Sequence, residues 1–383
     1  METARPATAT PSQPVLPDTM SGVVLTGHGG FDRLEFRTDL PVPKAGRGEV
    51  LIRVAASAVN NTDINTRIGW YSKGVREGTS AGGSAGFGTS DDDDAGWTGE
   101  ALRFPRIQGA DCCGRIVAVG EGVDAARIGE RVIVRNLLRT YVDDRPWECW
   151  TFGSECDGGF AEYARAPARE TFRVDCDWSD EELASIPCAY STAEGMLHRA
   201  GVARGETVLI TGASGGVGSA AVQLASRRGA VVIAVAGEAK AAQVMALGAD
   251  RVVFRGRSLL EAVGRESVDV VIDVAAGPAF TELPEVLKRG GRYAIAGAIA
   301  GPIVELDTRS LYLKDLTVFG CTFYEDAVFE NLVSYIERGE IRPHVGKVYP
   351  LRDIVQAQKD FLSKAIGGKL VLTLSGPAEE GEG

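Results

Sequence analysis

The sequence predicts an α/β protein of two units, an all-β, barrel-like module followed by a doubly wound parallel sheet. Three observations predict it. A length of 383 residues with 44% hydrophobic content is enough for two cores. Up to about residue 175 the apolar residues fall in short runs broken by Gly and Pro. Beyond that, near-continuous Val/Ile runs alternate with amphipathic stretches, the pattern of strands covered on both faces by helices.

Residues 1–19, METARPATATPSQPVLPDT, lack apolar periodicity and read as a disordered tail, as do residues 375–383. The first unit, residues 20–185, runs through the strands SGVVLTG, EVLIRVAASAV, GRIVAVGEGV, GERVIVR and GGFAEYARAP. After the second of these comes SAVNNTDINTRIGWYSK, read as a polar loop that sets Asn60, Asn61, Asp63 and Asn65 before Trp70 and Tyr71. An insert follows, residues 74–100, whose Gly, Ser and Asp91–Asp94 content cannot bury enough surface to order itself. Its aspartates read as a solvated charge run, because a calcium loop needs alternating ligands, a central Gly and a distal Glu. Coming directly after Tyr71, the insert is placed to act as a lid.

Ser179 and Glu182 have the spacing of a capping box, hydroxyl and carboxylate satisfying reciprocal backbone donors at a helix start. The second unit, residues 186–340, alternates ETVLIT, GVGSAAVQLASRRG, AVVIAVA, EAKAAQVMALG, RVVF, SLLEAVG, VDVVIDVA, FTELPEVLKRG, RYAIAG and LTVFG as strand, helix and so on, with the last two both strands. Residues 341–374 supply an amphipathic helix and a final strand that returns to the first unit.

A net charge of −11, from 41 basic and 52 acidic residues, disfavours a nucleic-acid partner, since no basic stripe offsets phosphate repulsion. No 18-residue apolar run and no secretory pattern is found, which predicts no membrane partner and a cytoplasmic location. The seven cysteines are scattered and odd in number, as expected of reduced thiols. No CxxC or HxxxH spacing occurs, and His28, His198 and His344 stand far apart, so no metal site is expected.

The strand VLIT ends at Gly212-Ala213-Ser214-Gly215-Gly216-Val217-Gly218 and a helix opens at once. Such a turn lets the backbone approach a pyrophosphate closely while the free N–H groups of the helix start face the anion. The next strand ends at Val235-Ala236-Gly237, where an NAD-selective site carries an acid for the ribose hydroxyls, and Lys240 follows. An absent carboxylate beside a cation favours a 2′-phosphate, hence NADPH. Arg255 is a second phosphate partner or a surface charge.

Taken together, VNNTDIN, FPRIQGADCCGRIVAVGEGV, GERVIV, GGFAEY, VLITGASGGVGSAAVQLA, LGAD and GGKLVL resemble the medium-chain dehydrogenase/reductase superfamily, and within it the zinc-independent quinone oxidoreductase and enoyl reductase group. The resemblance implies a GroES-like β-barrel catalytic domain, a Rossmann domain, a homodimer and a small-molecule carbonyl or quinone substrate. Where zinc-dependent members carry a Cys, a Gly-His-Glu step and a further Cys, this chain has Asn60, Gly109-Ala110-Asp111 and Cys188. The segment with Trp147, Cys149, Trp150 and Cys156 lacks the four clustered cysteines of a structural zinc lobe.

By resemblance, Asn60 contacts nicotinamide or substrate, Thr192 touches the nicotinamide side, and Gly297 lies at the crevice end of a central strand. Ile64 to Tyr71 matches the spacing of a motif whose tyrosine donates a proton in enoyl thioester reductases, so Tyr71 is a proton donor or a cleft wall. Asp63 either caps the loop backbone or takes part in catalysis. Trp147, Trp150 and Phe152 either line the approach to the cleft or pack the core. The expected function is NADPH-dependent reduction of a quinone or conjugated carbonyl; enoyl thioester reduction, a zinc-type alcohol dehydrogenase and NADPH binding without turnover are the alternatives.

Overall fold

Strand Glu49–Ala58 organises the first lobe of the computed structural model, which describes residues 15–88 and 93–374. It pairs antiparallel with Cys113–Val119, Tyr163–Pro167 and Lys369–Thr373. Its alternate residues Val50, Ile52 and Val54 enter one core with Phe160, Leu370 and Leu372. These strands belong to a seven-stranded sheet that also holds Arg131–Val134, Thr171–Arg173 and Val345–Pro350. A second sheet of Leu34–Pro41, Thr19–Leu25 and Arg106–Ile107 completes the barrel. Because the last strand of the chain pairs with Glu49–Ala58, the C-terminal segment is built into this lobe. Of the tail expected at 1–19, residues 1–14 lie outside the described residues, as do the tail at 375–383 and Asp91 and Asp92, while Thr19 already belongs to the first strand.

The second lobe carries a six-stranded parallel sheet in the spatial order Arg251–Phe254, Val231–Ala236, Thr207–Ile210, Val268–Asp273, Leu287–Ile295, Thr317–Gly320. The first strand in sequence, Thr207–Ile210, is central, and the chain winds outward from it in both directions, the doubly wound order. Val208 and Ile210 enter one core while Leu209 enters another on the opposite face, which is why these runs are apolar without alternation. The capping box at Ser179 is formed: its hydroxyl accepts from the Glu182 amide at 3.2 Å and the Glu182 carboxylate accepts from the Ser179 amide at 3.0 Å. No described helix is long and apolar enough to cross a membrane.

Three expectations change and one element is new. The stretch after Val59 is a helix, Asn61–Ile68, not a loop. Its polar residues are buried against protein rather than solvated, so an unfavourable apolar pattern conceals it. The insert packs despite its composition: Val75, Thr79, Gly82 and Ala95 are buried, and a short helix forms at Thr79–Gly82. FTELPEVLKRG is not a single helix; a 3₁₀ segment, Gly277–Glu282, leads to one helical turn, Leu283–Val286, and the strand begins at Leu287. Gly290 at φ 72° and Gly291 cannot extend that helix stably, so the chain straightens early. Finally, Asp326–Glu337 forms an amphipathic helix that the reading of the sequence passed over, burying Val328, Phe329, Leu332 and Ile336.

Candidate active site

Between the lobes lies a cleft of about 1110 Å³. The catalytic lobe contributes Asn60, Asn61, Thr62, Asn65 and Tyr71, and the dinucleotide lobe contributes Thr192, Val217, Val274, Ala296 and Gly297. Of the sequence-predicted residues, Asn60, Tyr71, Thr192, Val217 and Gly297 therefore meet in one cavity. Ser214, Gly215, Gly216 and Gly218 form the turn beneath it, while Asp63, Lys240 and Arg255 do not line it.

The helix Asn61–Ile68 is started by Asp63, whose carboxylate accepts from the Asn60 amide at 2.7 Å and the Ala110 amide at 3.2 Å. Both oxygens are thus engaged by backbone donors, and burial, opposed first by the Asn60 amide, pushes this carboxyl up to about 7. Asp63 caps the helix start and is not among the residues that line the cleft.

Asn60 is buried and its amide is fully committed. Its nitrogen donates to the Ala58 carbonyl at 3.1 Å and to the Asp111 carboxylate at 2.7 Å, and its oxygen accepts from the Lys369 ammonium at 2.5 Å. The amide expected to contact nicotinamide or substrate thus lines the cleft with both of its N–H groups engaged inside the protein. Lys369 also donates to Asp111 at 3.1 Å, and the other Asp111 oxygen accepts from the Cys188 amide at 2.7 Å. Of the positions aligned with metal ligands, Asn60 is thus bonded to an ammonium, and Ala110 carries no donor side chain. Among the described residues no group of three or more His, Cys, Asp or Glu is placed to hold a metal. Cys188 is buried, and burial raises its thiol far above the usual range.

Tyr71 stands on the cleft wall with its hydroxyl donating to Thr62 Oγ1 at 3.1 Å. Burial, opposed by hydrogen bonds to Thr62 and Asn65, raises the phenol well above its ordinary value, so it stays protonated through the neutral range. Thr62 in turn faces the cleft. Thr192 Oγ1 donates back to the Cys188 carbonyl at 2.8 Å, so its lone pairs remain for a ligand.

Arg67, fully buried on the same helix, ties this wall together. It donates to Gln358 at 2.8 Å, to the Gly29 carbonyl at 2.8 Å and to the Gly83 carbonyl of the insert at 2.6 Å. Thr79 of the insert donates to Asn65 at 2.9 Å and the Trp70 indole donates to the Glu77 carbonyl at 2.9 Å. The insert thereby becomes part of the cleft, contributing Trp97, Thr98 and Glu100. Trp147 and Trp150 line the cleft as well, whereas Phe152 is fully buried in the core.

On the dinucleotide side, helix Gly216–Arg227 begins at Gly215 with no capping side chain, leaving its first amides for an anion. A Cβ on Gly218 would stand 2.2 Å from the Gly212 carbonyl oxygen, whereas one on Gly216 would meet nothing nearer than Lys369 Cδ at 3.5 Å. The glycines thus let the turn close beneath an open cradle that fits a pyrophosphate. Sequence reasoning missed Lys369, Thr62, Arg67 and the insert's share of the wall. Lys369 and Thr62 stand inside the stretches GGKLVL and VNNTDIN, but nothing in one strand or one helix announces which distant carboxylate or phenol it will meet.

A dinucleotide cradle on a doubly wound sheet, facing a barrel lobe across a polar cleft, defines an oxidoreductase that uses a nicotinamide dinucleotide. Residues 46–175 match the alcohol dehydrogenase GroES-like domain family, and residues 216–338 the zinc-binding dehydrogenase family. The chain is 31% identical to acryloyl-coenzyme A reductase of Metallosphaera sedula, over 92% of this chain and 100% of that protein. It is 30% identical to quinone oxidoreductase of Lama guanicoe, over 93% and 98%. A solved structure from Sinorhizobium meliloti 1021, provisionally assigned as an alcohol dehydrogenase, superposes with a TM-score of 0.83 at 48% identity, over 94% of this chain and 97% of that one. The protein belongs to the medium-chain dehydrogenase/reductase superfamily.

Proposed function

We propose that the protein reduces a conjugated carbonyl or a quinone with NADPH and without zinc. The observation that carries this reading is the Lys369 ammonium seated between Asn60 and Asp111. Together with Ala110 where a histidine ligand would be needed, it leaves Cys188 and Asp111 as the remaining donors, and Asp111 is already engaged. That set does not fit a tetrahedral zinc.

The Gly215–Gly218 turn and the helix start would hold the pyrophosphate, Thr192 and Gly297 the nicotinamide side, and Lys240 and Arg255 a 2′-phosphate. When bound, the nicotinamide supplies hydride. The chain's own contribution is proton delivery and exclusion of water. Tyr71 donates through Thr62 toward the cleft, where a substrate carbon or oxygen that has gained charge takes the proton. A phenol held neutral by burial is suited to that step. The insert and Trp147 wall the cleft against solvent.

An enoyl thioester is the second reading, favoured by Arg103, Arg145 and Arg199 on the cleft wall, a cationic lining for a carrier's phosphate, and by the acryloyl-coenzyme A reductase relative. NADPH oxidation measured with quinones, enones and enoyl thioesters separates the two. Tyr71→Phe and Thr62→Val should each lower kcat on carbon-protonated substrates about 10²-fold or more, with NADPH affinity unchanged. An undiminished kcat on the best substrate removes the proton-donor role. One tightly held zinc per chain, required for turnover, overturns the metal-free reading.

A further inference from the structure

Asn136 follows strand Arg131–Val134, is only 4% exposed, and lines the cleft together with Leu137, Cys188 and Thr192. Its side-chain oxygen is taken twice. The Tyr324 hydroxyl donates to it at 2.9 Å and the Ser191 hydroxyl at 3.1 Å, Ser191 also reaching the Cys188 carbonyl at 3.4 Å. Burial raises the Tyr324 phenol well above its ordinary value, so that hydroxyl stays a donor and the amide turns its oxygen toward it.

The amide nitrogen is thereby left for the cleft. Among the described residues it has no hydrogen-bond partner, and it is not one of the side-chain atoms sealed from solvent without one. Asn60, the amide expected to meet a ligand, has both N–H groups engaged; Asn136 has neither. Buried N–H groups left idle are unfavourable until an acceptor arrives. The surroundings hold them in place. The Asn136 carbonyl accepts from the Phe152 amide at 2.8 Å, and the preceding Arg135, itself buried, is tied to Glu170 and, at 2.5 Å, to Asp326. Ser191 lies on helix Pro187–Arg199, and its neighbour Thr192 lines the cleft. A donor fixed from both lobes needs no reorganisation when charge develops in front of it.

We propose that Asn136 is a catalytic hydrogen-bond donor, its side-chain N–H groups binding the carbonyl oxygen of the substrate and stabilising the negative charge that this oxygen gains. The inference rests on the reductive reading above and adds which atom of the substrate the site holds, and by what. In a conjugated carbonyl, hydride from the reduced nicotinamide forms the new C–H bond at the β-carbon. The alkene pair then becomes the bond to the carbonyl carbon, and the carbonyl pair moves onto oxygen, where Asn136 meets it. The proton from Tyr71, passed through Thr62, closes the α-carbon as that pair returns, and water restores the phenol.

Steady-state kinetics and ligand binding by the full-length protein test it, using wild type, Asn136→Asp and Asn136→Leu. Above neutral pH the carboxylate of Asn136→Asp still accepts from Ser191 and Tyr324 but offers the cleft no donor, so the packing is kept and the donor alone is lost. On the best conjugated carbonyl or quinone found for wild type, kcat should fall about 10²-fold or more in both variants, with the KM for NADPH unchanged. Para-nitrophenolate, a stable oxyanion, should bind wild type about tenfold more tightly than Asn136→Leu, whereas nitrobenzene, the ring without that oxygen, should bind the two alike. If wild type turns over such a substrate and Asn136→Asp matches its kcat, or the phenolate binds wild type no better than Asn136→Leu, the inference falls and the reductive reading stands. If wild type oxidises no NADPH with any of these acceptors, both fall.

Discussion

Lys369 gives Asn60 its orientation, and the pair shows how a side chain's role follows from a partner hundreds of positions away. An amide whose two hydrogens and oxygen are all engaged cannot turn toward a ligand, so it rigidifies the cleft floor. Because Asp111 is fully buried, removing its cation leaves an uncompensated charge. Lys369→Met should therefore destabilise the fold by about 3–5 kcal/mol, and Asp111→Asn in the same chain should recover a large part of that loss. Denaturant midpoints of the two single variants and the double variant check this; additive losses would show that the two charges are not coupled. The capping role of Asp63 was readable from its distance to Asn60 along the chain, since caps are local. The use of Asn60 was not, because it depends on a strand that returns from the far end of the sequence.

At the level of elements, composition misleads most in the insert. Gly and Ser were read as absence of structure, yet glycine also permits close docking. A Cβ on Gly78 would stand 2.5 Å from the Ile299 carbonyl oxygen and 3.2 Å from the Ala300 carbonyl carbon, in the loop that follows the nicotinamide-side strand. Arg67 and Asn65 hold the other side of the same segment. Gly78→Ala, at an ordinary backbone angle, should push the insert off that loop at a cost of about 1–3 kcal/mol. Faster limited proteolysis within residues 74–100 and a raised substrate KM are expected, with global melting little changed. An insert that resists protease as well as wild type does would mean the docking is unimportant. Periodic elements were legible because their burial is written into every second or every third to fourth residue; the insert's anchors are single residues, which carry no period.

The whole molecule was legible in outline: strand–helix alternation predicted the doubly wound lobe, and the short Gly-broken runs predicted the barrel. What alternation cannot say is how the lobes meet or what a sheet edge faces. Thr317–Gly320 is the outer strand of the parallel sheet, paired on one side with Leu287–Ile295. Its Val318 is 50% exposed, and nearby Tyr312 and Leu313 are 63% and 56% exposed. A free edge beside exposed apolar side chains is a pairing liability unless something covers it. A second copy related by a two-fold axis would join the two sheets edge to edge, each strand offering the same groups to its twin. Thr322 and Phe323, directly beyond this strand, line the cleft, so such pairing would also steady one wall of the site. Val318→Lys sets two ammonium groups against each other across the axis and should convert a two-chain particle into a single chain in light scattering, lowering kcat/KM along with it. A wild-type protein that runs as one chain at micromolar concentration, or a Val318→Lys variant that remains paired, would place the contact elsewhere or remove it.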